Sequence, residues 1–179
     1  MLRDFNHYKI IMKTETYFFH QTPVDLAKDI FTKYDYLFAD GDIIYEAFRG
    51  EGAFYNAIPE RCTKIWAEIE EGKDYKVETN YDWIVSNPPF TLEENDKRRN
   101  AFWELTDYFT NIAKKGVVFL CNDYCLGTLT PRRQAILREK GWGITHMTIC
   151  NVKKWRGRYF VIVFEKTDSP VVDYLSKTY

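Results

Sequence analysis

The sequence predicts an α/β fold in which a mainly parallel sheet has helices on both faces and an antiparallel strand at one edge. Short apolar runs of the kind found in buried strands alternate with amphipathic stretches of helical spacing. That alternation is typical of parallel strands joined by crossover helices. The last two strand-like runs have no helix between them, which predicts an antiparallel pair.

The first half of the chain predicts one helix and three strands. Residues 23–34 have helical spacing, with Thr22 as a candidate N-cap and Pro23 at the first helical position. A glycine-containing loop and a short helical turn follow the first strand. The three predicted strands and the residues that end them are 43–45 with Glu46, 64–67 with Glu68, and 82–85 with Asn87-Pro88-Pro89.

The second half predicts two helices around a central strand, followed by the antiparallel pair. Residues 100–114 have helical spacing, and residues 131–140 form a second helix that Gly141 closes. The apolar run between them, residues 116–120, is expected as a central strand. The antiparallel pair is expected at 144–150 and 159–165, joined by the basic turn VKKWRGR.

Composition narrows the class of protein. The 179 residues are 45% hydrophobic and 28% charged, which excludes intrinsic disorder. With no Pro/Gly/Ser-rich linker, residues 1–179 are expected to form a single domain. No run reaches the ~18 apolar residues of a membrane span, and the N-terminus has no signal-peptide core, so we expect a cytoplasmic protein with no membrane partner.

Charge and cysteine content argue against a general polyanion-binding protein and against a metal site. The net charge of −1 argues against a general polyanion-binding protein, so any nucleic-acid contact must come from local basic clusters. The four cysteines include no C-x-x-C pair, and the three histidines are scattered, so no metal site is expected.

Ligands of open α/β sheets bind at the carboxyl ends of the strands, and a glycine loop lies there. Gly50 and Gly52 follow Glu46, and glycine lets the backbone approach a ligand closely. A carboxylate at this position suits a cationic or amino-bearing ligand and would repel a phosphate. Glu68 lies 16 residues after Gly52, near the offset at which an acidic residue reaches a ribose in dinucleotide folds. Alternatively, Glu68 belongs to a solvated acidic face.

The segment Asn87-Pro88-Pro89-Phe90 carries the most specific chemistry. The two prolines fix the backbone and remove two N–H donors, so the segment cannot continue an ordinary sheet ladder. Such an arm can present the Asn87 side-chain oxygen and the Pro88 carbonyl to one point, with Phe90 behind them. Two acceptors beside an aromatic ring match a planar amino group. The alternative is a plain strand-ending turn with Phe90 in the core.

Three motifs, YFFHQTPVDLAKDI, EAFRGEGAF and DWIVSNPPF, occur in an order that resembles class I S-adenosylmethionine-dependent amino-methyltransferases, most of all the DNA adenine-N6 type. The resemblance covers residues 17–90 well, with Ala47 in place of the usual proline of the glycine loop. It implies a Rossmann-like methyltransferase fold, S-adenosyl-L-methionine as the cofactor, and methyl transfer to the N6 amino group of a flipped adenine.

The resemblance also implies roles for individual residues. Asn87, Pro88, Pro89 and Phe90 correspond to the catalytic motif. The positions that correspond to the cofactor site are Gln21, Thr22, Pro23, Glu46, Gly50, Gly52, Phe54, Glu68, Asp74, Tyr75 and Asn87. Only five residues separate Glu68 from Asp74, too few for the crossover helix that the family normally has there.

DNA contacts would need a basic rim, and two clusters are candidates. They are Lys97, Arg98 and Arg99, and the turn residues Lys153, Lys154, Trp155, Arg156 and Arg158. Solvated surface charge is the alternative for each. Because the chain has no room for a target-recognition domain, we expect a short or loose target sequence, or contacts from a second copy in a homodimer.

Other readings of the same motifs stay open. An Asn-Pro-Pro arm also serves enzymes that methylate an RNA base, at adenine N6 or guanine N2, and this is the main alternative. Protein glutamine methylation is less favoured, because only 45 residues precede Glu46. Cytosine-N4 methylation is less favoured too, because that subgroup has serine where Asn87 stands. A cofactor-fold scaffold without catalysis is the non-enzymatic alternative.

Overall fold

A computed structural model describes residues 21–77, 79–94, 97–153 and 155–175. The α-helices in these ranges are α1 (Val24–Lys33), α2 (Ala53–Ala57), α3 (Phe102–Ile112), α4 (Asp123–Leu126) and α5 (Pro131–Glu139). The strands are β1 (Ile43–Glu46), β2 (Thr63–Trp66), β3 (Tyr81–Ser86), β4 (Thr91–Glu94), β5 (Lys97–Asn100), β6 (Ala113–Asn122), β7 (Trp142–Cys150) and β8 (Tyr159–Lys166). None of the described helices is long and apolar enough to cross a bilayer.

Six strands form one sheet in the order β2-β1-β3-β6-β8-β7. The first four are parallel, and β8 is antiparallel to both of its neighbours. The predicted α/β fold is thereby confirmed, with one refinement: the reversed strand is second from the edge, and β7 is outside it. From β1 the chain continues to β2 on one side, and from β3 it continues to β6 on the other. The topological switch point therefore lies between β1 and β3.

Helices cover both faces of the sheet, as expected, and the alternation along the central strands follows from this. On β6, Val118 and Leu120 pack with α1 and α2, whereas Val117 and Phe119 pack with α3 and α5. Strand β8 alternates in the same way. Because both faces are buried, the central strands are apolar at nearly every position, which is why the sequence predicted them well.

Helix α1 lies on the sheet through one apolar stripe. Ala27, Ile30 and Phe31 are its buried residues, at helical spacing. The residue before the helix is Pro23, and its carbonyl accepts from Ala27 N at 3.0 Å. No side chain caps this end of α1. The prediction of Thr22 as the N-cap is therefore wrong, and the Thr22 hydroxyl has a different partner, described below.

Other differences from the sequence-based elements lie around α3. The predicted helix over 100–114 is two residues too long at each end, because β6 begins directly at Ala113. Residues 91–94 and 97–100 form an antiparallel two-stranded sheet, β4–β5, that the sequence did not predict. The short helix α4, directly after β6, was not predicted either.

Candidate active site at the carboxyl edge of the sheet

Two buried polar side chains end the strands on either side of the switch point. Glu46 ends β1 and is 2% exposed, and Ser86 ends β3 and is fully buried. Within the described residues, Glu46 Oε2 and Ser86 Oγ have no hydrogen-bond partner. A buried polar atom without a partner costs free energy, and such atoms concentrate at sites that receive a ligand.

Burial, with a smaller contribution from the charge of Glu68, raises the pKa of Glu46 to about 8. A backbone hydrogen bond from Tyr55 and the charge of Arg49 act in the opposite direction but do not outweigh burial. Glu46 is therefore largely protonated at neutral pH in the protein without ligand. A cationic group placed beside Oε2 would favour the ionised form, because an opposite charge lowers a carboxyl pKa.

The glycine loop follows β1 and leads into α2. Gly50 and Gly52 have φ of 51° and 81°, in the left-handed region that favours glycine. Gly52 N donates to Arg49 O at 2.8 Å, which tightens the turn. A Cβ added to Gly50 would lie 3.1 Å from Gln21 Oε1. The conformation of the loop therefore favours glycine at position 50, and a larger residue there would also displace the end of the Gln21 side chain.

Glu68 fastens the glycine loop to the end of β2. Its Oε2 accepts from Gly50 N at 2.7 Å, and its Oε1 accepts from Glu70 N at 3.3 Å. The side chain is almost fully buried, which is inconsistent with the alternative of a solvated acidic face. An ionised carboxylate has about four acceptor positions, so hydroxyl groups of a ligand can still bind to it. Its assignment to a ribose stays a prediction.

Residues 73–77 belong to the segment that connects β2 to β3 along the chain. Tyr75 O accepts from Tyr45 Oη at 3.0 Å, and the Tyr75 ring lies 5.0 Å from that of Phe48, centroid to centroid. The structure therefore brings Tyr75 next to the loop that follows β1. Asp74 is exposed, and its Oδ1 accepts from Lys76 N at 3.0 Å within a local turn.

Arg49 holds the glycine loop against β2. Its guanidinium lies 4.4 Å from the Trp66 ring centroid, and Nη1 pairs with Glu71 Oε1 at 2.5 Å. Lys73 Nζ also contacts the Trp66 ring, at 3.2 Å from its centroid. Sequence reasoning missed Arg49 and Trp66. The sequence signal that could have identified this contact is a basic residue inside the glycine loop together with an aromatic residue at the end of the next strand.

The Asn-Pro-Pro-Phe arm follows β3 directly. Asn87 Nδ2 donates to Thr22 Oγ1 at 3.3 Å, a contact between residues 65 positions apart. Pro88 is buried, whereas Asn87, Pro89 and Phe90 are partly buried. Thr22 and its neighbour Gln21 thus join the arm to the glycine loop, so the two motifs border one region at the switch point.

The remaining predicted site residues lie outside the glycine loop and the Asn-Pro-Pro-Phe arm. Phe54 is 2% exposed, and its ring packs 6.3 Å from that of Phe31, so it belongs to the core under α1 and α2. Pro23 precedes α1. The backbone of Lys97–Asn100 forms β5. In the β7–β8 turn, Lys153, Arg156 and Arg158 are exposed and Trp155 is partly buried; Lys154 lies outside the described residues.

The fold is similar to those of solved methyltransferases. A provisionally assigned class I S-adenosylmethionine-dependent methyltransferase of Listeria monocytogenes aligns with a TM-score of 0.66 and 12% identity, over 93% of this chain and 67% of that chain. The E. cuniculi Mtq2–Trm112 complex, responsible for methylation of the termination factor eRF1, aligns with a TM-score of 0.51 and 16% identity, over 80% and 94%. A tRNA methyltransferase of M. jannaschii aligns with a TM-score of 0.51 and 13% identity, over 80% and 47%.

No family model matches the sequence, and no curated protein matches it. At these identities the structural likeness shows the fold, and the substrates of the solved proteins belong to those proteins. The chain therefore has a Rossmann-like methyltransferase fold, as the motifs implied.

Proposed function

We propose that this chain is an S-adenosylmethionine-dependent methyltransferase that methylates the N6 amino group of a flipped adenine in DNA. The observation that carries the proposal is the hydrogen bond between Asn87 and Thr22. It joins the Asn-Pro-Pro-Phe arm to the segment that contacts the glycine loop, at the switch point where open α/β sheets bind ligands.

The side chains at the switch point fit the proposed cofactor. S-adenosylmethionine has a cationic ammonium group, and the buried Glu46 Oε2 without a partner is a suitable acceptor for it. Gly50 and Gly52 let the loop backbone approach the ligand. Glu68 would accept from the ribose hydroxyls, and Tyr75 would contact the adenine ring. When bound, the cofactor would supply an electrophilic methyl group from its sulfonium, which would leave as a neutral thioether, and water would take the proton lost from N6.

The arm would act on the target amino group through two acceptors. The lone pair of adenine N6 is delocalised into the ring, which makes the nitrogen a poor nucleophile. Acceptance of its N–H groups by Asn87 Oδ1 and the Pro88 carbonyl would favour a pyramidal nitrogen and stabilise the positive charge that develops there. Asn87 Nδ2 donates to the Thr22 hydroxyl, and this orientation of the amide is the one that the proposed role of Oδ1 requires.

Phe90 would stack on the base, and the basic residues of the β7–β8 turn would contact phosphates. The target atom is inaccessible inside a duplex, so the nucleotide must leave the stack at a cost of about a few kcal/mol. A short or loose target sequence is part of the proposal.

The test compares labelled methyl transfer to DNA and to RNA, with the products identified by nucleoside mass spectrometry. We expect N6-methyladenine in DNA. Asn87→Ala is expected to lower the rate of transfer by about 10²–10³-fold, because one stabilising contact in the transition state is lost. Cofactor affinity, measured by calorimetry, should change far less. Asn111→Ala, an exposed asparagine on α3, is the matched control and should retain full activity.

Three outcomes would contradict the proposal. A methylated base found in RNA alone would exclude DNA as the substrate. Full transfer activity in Asn87→Ala would exclude the role of the arm, and absence of any transfer by the wild-type protein that still binds cofactor would favour the non-catalytic scaffold.

A further inference from the structure

A row of three aromatic rings leads from the Asn-Pro-Pro-Phe arm to the β7–β8 turn. The Phe90 ring lies 6.4 Å from that of Tyr159, and the Tyr159 ring lies 4.5 Å from that of Trp155, centroid to centroid. Tyr159 is 2% exposed, whereas Phe90 and Trp155 are partly buried. The two outer residues are therefore partly accessible, and the buried ring of Tyr159 lies between theirs.

The turn that carries Trp155 lies at the same edge of the sheet as the candidate active site. Tyr159, the first residue of β8, pairs with Asn122 at the end of β6. Within the turn, Trp155 N donates to Val152 O at 2.9 Å, and Gly157 has a φ of 91°. The hydrogen bond and the glycine conformation thus define the backbone of the turn that holds Trp155 at this edge.

The turn that contains Trp155 is rich in positive charge and has no acidic residue of its own. Residues 151–158 contain four basic residues and no acidic residue. Lys153 and Arg156 are exposed. Arg158 pairs with Asp123 at 3.4 Å in an exposed contact, and such pairs contribute little and can be exchanged for a phosphate.

The other basic cluster lacks this excess of charge. Residues 91–100 contain three acidic and three basic residues. The β4–β5 register places Glu93 opposite Arg98 and Glu94 opposite Lys97. The formal charge of this hairpin is zero, so the β7–β8 turn is the better anion-binding surface of the two.

We propose that the β7–β8 turn binds an unpaired stretch of the DNA strand that carries the target, with a base beside the target stacked on Trp155. This inference rests on the proposed function and specifies its substrate as single-stranded or locally opened DNA. Phosphates of the same stretch bind Lys153 and Arg156.

The physical reason is the requirement for an open base face. Inside a duplex both faces of a base are covered by its neighbours, so a protein ring can stack only on a base that has left the stack. An aromatic side chain flanked by cations is the arrangement by which proteins bind single strands without sequence preference, and each stacked base contributes about 1–3 kcal/mol. Recognition of this kind also agrees with a short target sequence.

The test measures binding of a labelled oligonucleotide of about 12 nucleotides, a length within the usual range of single-strand sites. The same sequence is offered as single-stranded DNA, as duplex DNA and as single-stranded RNA, at one salt concentration and without cofactor. We expect the single strand to bind more tightly than the duplex. Trp155→Ala should weaken single-strand binding by about 5- to 150-fold, and Trp155→Phe should restore most of the affinity.

Tyr36→Ala is the matched control, because Tyr36 is an exposed aromatic residue beside β7, where it bonds to His146, and it should leave binding unchanged. Thermal melting of each variant separates lost binding from lost folding. Equal binding of duplex and single strand, or equal affinities of Trp155→Ala and Trp155→Phe, would overturn the inference. Tighter binding of RNA than of DNA would support the unpaired strand and contradict the DNA part of its statement.

The outcomes also separate this inference from the proposed function. Strand binding is measured without cofactor, so it does not depend on methyl transfer. Methyl transfer to DNA with no effect of Trp155→Ala would overturn the inference and leave the proposed function standing. Trp155-dependent strand binding without methyl transfer would overturn the proposed function alone.

Discussion

Substitution of Glu46 by glutamine tests the central electrostatic feature of the candidate site. Glu46 is 2% exposed, and burial raises its pKa from 4.5 to about 8. Glutamine has nearly the same shape and no titratable proton. Glu46→Gln therefore removes the titration and keeps the packing at the end of β1.

The size of the effect follows from the two pKa values. A group whose pKa is raised in the folded state contributes its stability below the pKa of the unfolded chain, near 4.5, and loses it as the pH rises through the folded value near 8. Between pH 5 and pH 9 the wild-type protein should lose on the order of 4 kcal/mol of its free energy of unfolding through this group. The variant should not show this loss.

The assay is urea unfolding of both proteins without cofactor at pH 5, 7 and 9. We expect similar stabilities at pH 5 and a variant that is more stable by about 3–5 kcal/mol at pH 9. Because every other titrating group is shared, the difference between the proteins isolates Glu46. A difference that stays constant from pH 5 to pH 9 would refute the reasoning.

Cofactor binding should move in the opposite direction. Glu46→Gln should weaken binding of S-adenosylmethionine by about 10-fold or more, since a hydrogen bond to a charged group is lost. The dissociation constant of the variant divided by that of the wild-type protein should rise about tenfold from pH 7 to pH 9, because the ionised fraction of Glu46 in the wild-type protein rises by that factor. Titration of the cofactor itself cancels in this ratio.

Two substitutions at glycine test the loop and the core. Gly50 has a φ of 51°, and a new methyl group there would lie 3.1 Å from Gln21 Oε1. Gly50→Ala should therefore weaken cofactor binding by about 10-fold in calorimetry and lower the free energy of unfolding by about 1–2 kcal/mol in urea. Unchanged affinity would contradict the assignment of the loop to the cofactor site. Gly116→Ala would place a methyl carbon within 2.8 Å of three atoms of the buried Trp83 ring and should lower the free energy of unfolding in urea by about 1–3 kcal/mol. Gly127→Ala is the control, because the nearest atom to its new methyl group lies at 3.6 Å, and it should change stability by less than about 1 kcal/mol. Equal effects of the two substitutions would be inconsistent with the packing of Trp83.

Elements that are buried on both sides were predictable from sequence. The cores of β3, β6 and β8 are continuous apolar runs, because each residue packs against a helix layer on one face or the other. Helix α1 begins directly after Pro23, and helix α5 begins at Pro131 and is followed by Gly141, residues that act through local geometry. Such signals involve neighbouring residues only, so a single sequence contains them.

Elements with charged or short sequences were not predictable. The hairpin β4–β5 is rich in acidic and basic residues and lacks an apolar alternation, so no periodic pattern marks it. The end of α3 was misplaced because Ala113 and Lys114 continue a helical pattern, yet both are strand residues at the start of β6. Pairing of Ala113 with Tyr81 in β3 determines this boundary, and that contact is distant in sequence.

The motifs predict a chemistry for the candidate site, since a prolyl arm and a glycine loop have local backbone consequences. Their mutual placement came only from the folded chain. Thr22 was expected to cap a helix, but its hydroxyl accepts a hydrogen bond from Asn87. Glu68 was expected to bind a ligand, and the structure shows that it also accepts a hydrogen bond from Gly50 N. Hydrogen bonds between residues 65 and 18 positions apart depend on which strands become neighbours, and the raised pKa of Glu46 depends on how much water the surrounding layers exclude.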